Sequence, residues 1–109
     1  REGSERAEPW KGAETLASGI RVPSSRADHL ILQALRESGG AAVAVTDGEI
    51  MTAVQEIARA LGVFPSPEGA AAWAGLKALV REDMVSPSSR IVVVNTAGGA
   101  RYRFLLASP

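Results

Sequence analysis

The sequence predicts an α/β domain with a three-layer arrangement, parallel strands covered on both sides by helices. Ile91-Val92-Val93-Val94 is an unbroken run of β-branched apolar residues closed by Asn95-Thr96 and the small-residue turn Ala97-Gly98-Gly99. Such a run is the pattern of a strand buried on both faces, as in a parallel sheet, rather than of a half-exposed antiparallel one. A shorter apolar run at residues 41–45 supplies a second strand, and helical patterns stand before and between the two. The composition agrees: 109 residues, 46% hydrophobic and 22% charged, suit one globular domain.

Residues 1–13 carry Gly3, Pro9 and Gly12 without periodicity and read as loop or linker, with Trp10 expected to dock on the body. Residues 14–109 form the expected α/β domain. In the stretch Thr15-Leu16-Ala17-Ser18-Gly19-Ile20-Arg21-Val22-Pro23, Gly19 marks a close backbone approach, to another strand or to a ligand. A helix is expected over residues 26–38, with Leu30, Ile31, Ala34 and Leu35 on one face, Asp28 in its first turn and Gly39-Gly40 at its end. His29 beside that stripe reads as a surface or cap residue, because no partner acid is placed for it.

Thr46-Asp47-Gly48-Glu49 is a capping box, and Val45 and Ile50 stand where a hydrophobic staple requires them. The helix it opens carries Ile50, Val54, Ile57 and Leu61 at helical spacing and stops at Gly62. Capping accounts for Asp47 and Glu49 without a metal or acid/base role. Ser66-Pro67-Glu68 starts another helix, with Pro at its first position and an alanine-rich face that extends to about residue 82. Glu68 has two readings, a charge favoured at a helix N-terminus or a carboxylate aimed into a site. At the rim of the 91–94 strand, Thr96 and the glycines after it fit either a plain turn or a ligand site, since α/β proteins bind ligands at the carboxyl ends of their strands. Residues 101–105 add a short terminal strand or pack back on the body.

Composition narrows the function. Twelve basic and twelve acidic residues balance, and aromatics make up 5% of the chain, so nothing points to nucleic acid. The absence of cysteine removes disulfides and thiolate chemistry, and a single histidine removes a histidine-based metal cluster. No apolar run approaches a membrane span of about 20 residues and no signal-peptide pattern opens the chain, so a cytoplasmic protein is expected. The first residue is Arg and not Met, which suggests a processed or truncated piece. Neither a Ser-His-Asp set nor a phosphate-cradling Gly-rich loop is present.

Three ordered blocks, residues 15–23, Glu37-Ser38-Gly39-Gly40 with Ala42-Val43-Ala44-Val45-Thr46-Asp47, and Pro67-Glu68-Gly69-Ala70-Ala71, resemble the C-terminal part of the threonine synthase family. The closing Asn95-Thr96-Ala97-Gly98-Gly99 with Tyr102 resembles that family's Asn-Thr-Gly-x-Gly-Leu-Lys-Tyr ending. The likeness spans roughly residues 13–102. It is specific for fold-type II pyridoxal phosphate enzymes, the tryptophan synthase beta-like superfamily, and less so between threonine synthase and threonine dehydratase.

The resemblance implies a C-terminal fragment of that fold and a parent lyase of amino-acid biosynthesis, which turns O-phosphohomoserine and water into threonine and phosphate. It further implies pyridoxal 5'-phosphate as cofactor, an amino-acid substrate and a homodimeric full-length enzyme. By the same resemblance, Thr96 meets the pyridine nitrogen of the cofactor, Gly19 lies against one face of its ring, and Glu68 lies near the site. Ala97 and Gly98, beside Thr96, complete the cofactor-binding set. Two departures stand out. Ala97 replaces a glycine, a strain if its φ is positive, and neither Lys11 nor Lys77 sits in the context of the family's cofactor-bearing lysine. By this reading the fragment holds no catalytic residue and is inactive alone. The alternatives are a non-catalytic α/β binding or interaction module derived from this fold and a threonine dehydratase-like enzyme.

Overall fold

The computed structural model describes residues 4–106. The loop reading of residues 1–3 and the domain reading of residues 107–109 lie outside the described residues. Three α-helices carry the structure among the described residues: α1 (Asp28–Ser38), α2 (Asp47–Leu61) and α3 (Pro67–Arg81). Short 3-10 segments lie at Ser18–Ile20 and Gly99–Leu106, the latter kinked at Tyr102.

The core is where α2 packs on α3. The capping box that opens α2 is complete: Thr46 Oγ1 accepts from the Glu49 N–H at 3.3 Å, and Glu49 Oε2 accepts from the Thr46 N–H at 2.8 Å. Those bonds satisfy two of the donors that a helix start otherwise leaves orphaned. The Thr46 N–H foremost, with its hydroxyl, holds the Glu49 carboxyl below its ordinary pKa. Val45 packs against the cluster that contains Ile50, as the staple requires. Ile50, Ala53 and Val54 of α2 meet Ala70 and Ala74 of α3, with Ala17 from the first 3-10 segment's entry closing the cluster. Alanines on α3 permit this close approach, and Glu56 Oε2 fastens the pair by accepting from Trp73 Nε1 (2.9 Å) and Lys77 Nζ (2.6 Å). Gly62 ends α2 in the left-handed conformation.

Outside that pair the expected three-layer arrangement of parallel strands is not confirmed. Among the described residues no strand is present, and an isolated antiparallel bridge joins Pro65 to Gly98. Residues 91–94 make no backbone hydrogen bonds among the described residues, and Val92 and Val94 are 89% and 65% exposed. A strand exists only against a neighbouring backbone, so an apolar run of strand character without one remains an uncovered ribbon. Residues 41–45 likewise form no strand, although Val43 packs against Gly75 of α3. Residues 99–106 turn as 3-10 structure and pack back rather than adding a strand.

Two further expectations change. α1 begins at Asp28, two residues later than expected, and Leu30, Ile31 and Ala34 on its apolar stripe lie exposed. The Trp10 side chain is undocked at 74% exposure; its segment is tied instead by the Trp10 N–H to the Pro23 carbonyl at 2.8 Å. Asp28 tethers the same segment by accepting from the Ala7 N–H and Arg6 Nη1, both at 2.9 Å. The Ala7 N–H is the largest influence on its carboxyl and, with the His29 N–H and Arg6, outweighs desolvation to hold it at about 2. The accessible surface, 8282 Å² for 11.4 kDa, exceeds the roughly 5,800 Å² of a compact monomer of this mass. Uncovered apolar residues, Val92 and Val94 and the stripe of α1 among them, contribute to the excess.

Candidate functional site

Three segments distant in sequence converge on the N-terminus of α3. Its start is fixed by Ser66, fully buried, whose Oγ accepts from the Gly69 N–H at 3.2 Å, and by Pro67 at the first helical position. The closing turn lies alongside: the Ser66 N–H donates to the Ala97 carbonyl at 3.0 Å and the Gly99 N–H to the Phe64 carbonyl at 2.8 Å. Asn95 lies directly over Gly69, so closely that a Cβ there would overlap Asn95 Oδ1. Thr96 stands between these anchors. It is exposed, and its hydroxyl makes no hydrogen bond among the described residues.

From the other side comes the 3-10 segment Ser18–Ile20. Glu68 Oε1 accepts from the Gly19 N–H at 2.7 Å and from the Tyr102 hydroxyl at 2.7 Å. Gly19 answers one question left open by the sequence, for what its backbone approaches is a side chain. A Cβ at Gly19 would lie 2.8 Å from Glu68 Oε1. Burial works to raise the Glu68 pKa, but the Tyr102 hydroxyl, the N–H groups of Glu68 and Gly19 and the Ser66 hydroxyl prevail and lower it. Glu68 is therefore a carboxylate at neutral pH, in the first turn of α3 where the helix dipole also favours it.

Of the five residues singled out by sequence, Gly19 and Glu68 touch, and Ala97 bonds to the residue that caps the helix bearing Glu68. Thr96 and Gly98 flank Ala97. The feared strain at Ala97 is absent, because among the described residues Asp83 is the non-glycine with positive φ. Gly98 and Gly99 have no positive φ either. Gly98 faces open space, whereas a Cβ at Gly99 would lie 2.6 Å from the Pro65 carbonyl oxygen.

Sequence reasoning missed two contributors. Asp47, read as a helix-start charge alone, accepts from Thr15 Oγ1 at 2.6 Å and from the Leu16 N–H at 3.1 Å, and so fixes the segment that leads to Gly19. Tyr102, part of the closing motif, was given no role, and nothing local in the sequence pairs it with a carboxylate 34 residues away. Neither lysine reaches this end of α3 as a free amine: Lys77 Nζ is held by Glu56 at 2.6 Å, and Lys11 lies in the exposed N-terminal loop. Elsewhere on α3, Trp73, Leu76 and Val80 line an open cleft of about 600 Å³ against Ile91 and Val93.

The sequence profile of the family described as "Pyridoxal-phosphate dependent enzyme" matches residues 1–97. The threonine synthase of Methanocaldococcus jannaschii is 40% identical over 93 residues, which are 85% of this chain and 23% of that protein. That of Methanosarcina acetivorans is 38% identical over 88 residues, 81% of this chain and 22% of the relative. That of Mycobacterium leprae is 36% identical over 94 residues, 86% and 26% of the two chains. The chain thus spans about a quarter of the length of these curated relatives.

Proposed function

The chain belongs to the pyridoxal-phosphate dependent enzyme family, and from that premise we propose that it is the C-terminal part of a threonine synthase-like lyase. The complete enzyme converts O-phosphohomoserine and water to threonine and phosphate. The observation that carries the reading is the convergence at the N-terminus of α3, where the segments of Gly19 and Thr96 meet around one helix start. Similarity to named threonine synthases over 81–86% of the chain supports this reading within the family.

The residues present suit one part of pyridoxal 5'-phosphate. When bound, the cofactor supplies the electron sink that makes a proton next to the amino group of an amino acid removable. The Thr96 hydroxyl, exposed and without a partner among the described residues, would donate to the pyridine nitrogen. A neutral hydroxyl there leaves that nitrogen unprotonated and moderates the sink. Gly19 would present bare backbone to one face of the ring, while Ala97 and Gly98 keep the turn beside Thr96 free of bulk. Glu68 orients Gly19 from behind. The lysine that attaches the cofactor and the loop that holds its phosphate belong to parts of the enzyme outside these 109 residues, and the fragment alone is inactive.

The exposed run 91–94 fits the same reading. In the complete enzyme it is an interior strand of a parallel sheet, with Ile91 and Val93 on α3 and Val92 and Val94 under a further helical layer. We further read the whole enzyme as a cytoplasmic homodimer; no described helix is long and apolar enough to cross a membrane.

The test is an assay of the purified full-length protein with pyridoxal phosphate. Phosphate released from O-phosphohomoserine with formation of threonine is the expected result. Deamination of threonine without that activity assigns a dehydratase. No cofactor uptake and neither activity leaves a non-catalytic module.

A further inference from the structure

The hydrogen bonds of Glu68 have a direction that the cofactor reading leaves unused. An ionised carboxylate only accepts, so the Tyr102 hydroxyl spends its proton on Glu68 Oε1 at 2.7 Å. Ser18 Oγ lies 3.4 Å from the same Tyr102 oxygen and must therefore be the donor there. The relay runs Ser18 to Tyr102 to Glu68, and Gly19 donates to the same Glu68 oxygen from its backbone at 2.7 Å. One carboxylate oxygen thus joins the 3-10 segment Ser18–Ile20, the first turn of α3 and the chain just beyond the closing turn. Tyr102 is buried at 9% exposure although its neighbours Arg101 and Arg103 are exposed, so its ring is seated and its hydroxyl is aimed.

The closing turn is pinned at four places: Asn95 over Gly69, Ala97 to Ser66, Gly99 to Phe64 and Tyr102 to Glu68. The first three hold it to α3 and the segment before it. Tyr102 alone among these also reaches the Gly19 side, through Glu68 and Ser18. We propose that Tyr102 and Glu68 form a clasp that sets the spacing between the Gly19 segment and the Thr96 turn. Tyr102 is then a positioning residue for the cofactor ring, an inference that rests on the reading that these two segments hold pyridoxal phosphate. Neither residue needs to touch the cofactor; charge-assisted hydrogen bonds to one oxygen fix the width of the opening between the segments.

The test uses the full-length protein and two readouts, the affinity for pyridoxal phosphate and the amide exchange of a peptide spanning residues 16–22. Tyr102→Phe retains the ring and removes the hydroxyl. It should weaken cofactor affinity about tenfold, the scale of one charge-assisted hydrogen bond, and speed exchange in the 16–22 peptide while the melting profile keeps a single cooperative transition. Glu68→Gln keeps an oxygen that accepts from both donors but removes the charge that assists them, so its affinity should fall, though less than that of Glu68→Ala. If Tyr102 acts through Glu68, Glu68→Ala with Tyr102→Phe binds no more weakly than Glu68→Ala alone. Additive losses, or unchanged affinity and exchange in Tyr102→Phe, overturn the clasp. A wild-type protein that takes up no cofactor overturns instead the reading beneath it, a result distinct from equal binding by wild type and variants.

Discussion

The α2–α3 pair and the 90–99 segment are both rich in apolar residues, yet one is finished and the other is not. In the helix pair each local signal has its partner within the chain. The capping box closes on itself, Val45 meets Ile50's cluster, and alanines on α3 admit α2. In the segment 90–99, strand character is as strong, but the groups that would complete it are neighbouring backbones and a covering layer. What it finds instead is one bridge from Pro65 to Gly98 and one apolar wall from α3. Helices satisfy their backbones locally, whereas strands depend on distant chain. On the proposed reading of this chain as a piece of an α/β protein, the helices are kept and the strand is left open.

That contrast can be broken or sharpened by substitution. The largest effect belongs to the finished region: Ile50→Ala, at 2% exposure, should destabilise by about 2–5 kcal/mol, the range of a deleted core aliphatic. Urea unfolding measures it, and a loss below the cost of a surface change places the core elsewhere. Thr46→Ala removes the cap acceptor of α2 and should cost about 1 kcal/mol, seen as a lower melting temperature than wild type. At the unfinished segment, Val92→Thr in this chain should change stability by less than about 0.5 kcal/mol, because the side chain is 89% exposed. If 91–94 is the interior strand proposed for the complete enzyme, the same hydroxyl is buried there and should cost about 1–3 kcal/mol when unpartnered. Equal effects in the two settings would remove the interior-strand reading of 91–94.

What the sequence made legible follows the same division. Thr46, Glu49, Ser66, Pro67, Gly39 and Gly62 announce helix ends by rules that act within a turn, and the helices lie where these residues put them. The strand expected at 91–94 does not form among the described residues for a physical reason, since four β-branched residues state a preference for pleated backbone without supplying the neighbour that fulfils it. The α1 stripe was read correctly as apolar, but its burial depended on what packs against it. Around the candidate site, the residue types of the closing turn pointed to Thr96, Ala97 and Gly98, and Gly19 signalled a close approach. The pairings of Glu68 with Tyr102 and of Asp47 with Thr15 span 34 and 32 residues, and no local pattern encodes them.

The most direct measurement is the affinity and absorbance spectrum of pyridoxal phosphate on the full-length protein carrying Thr96→Val. Valine keeps the shape of threonine and removes the hydroxyl assigned to the pyridine nitrogen. A lost buried hydrogen bond of about 1–3 kcal/mol corresponds to roughly ten- to hundredfold weaker binding, with a shifted spectrum and the fold retained. Wild-type affinity with an unchanged spectrum would contradict the assignment and return Thr96 to a residue that merely closes a turn.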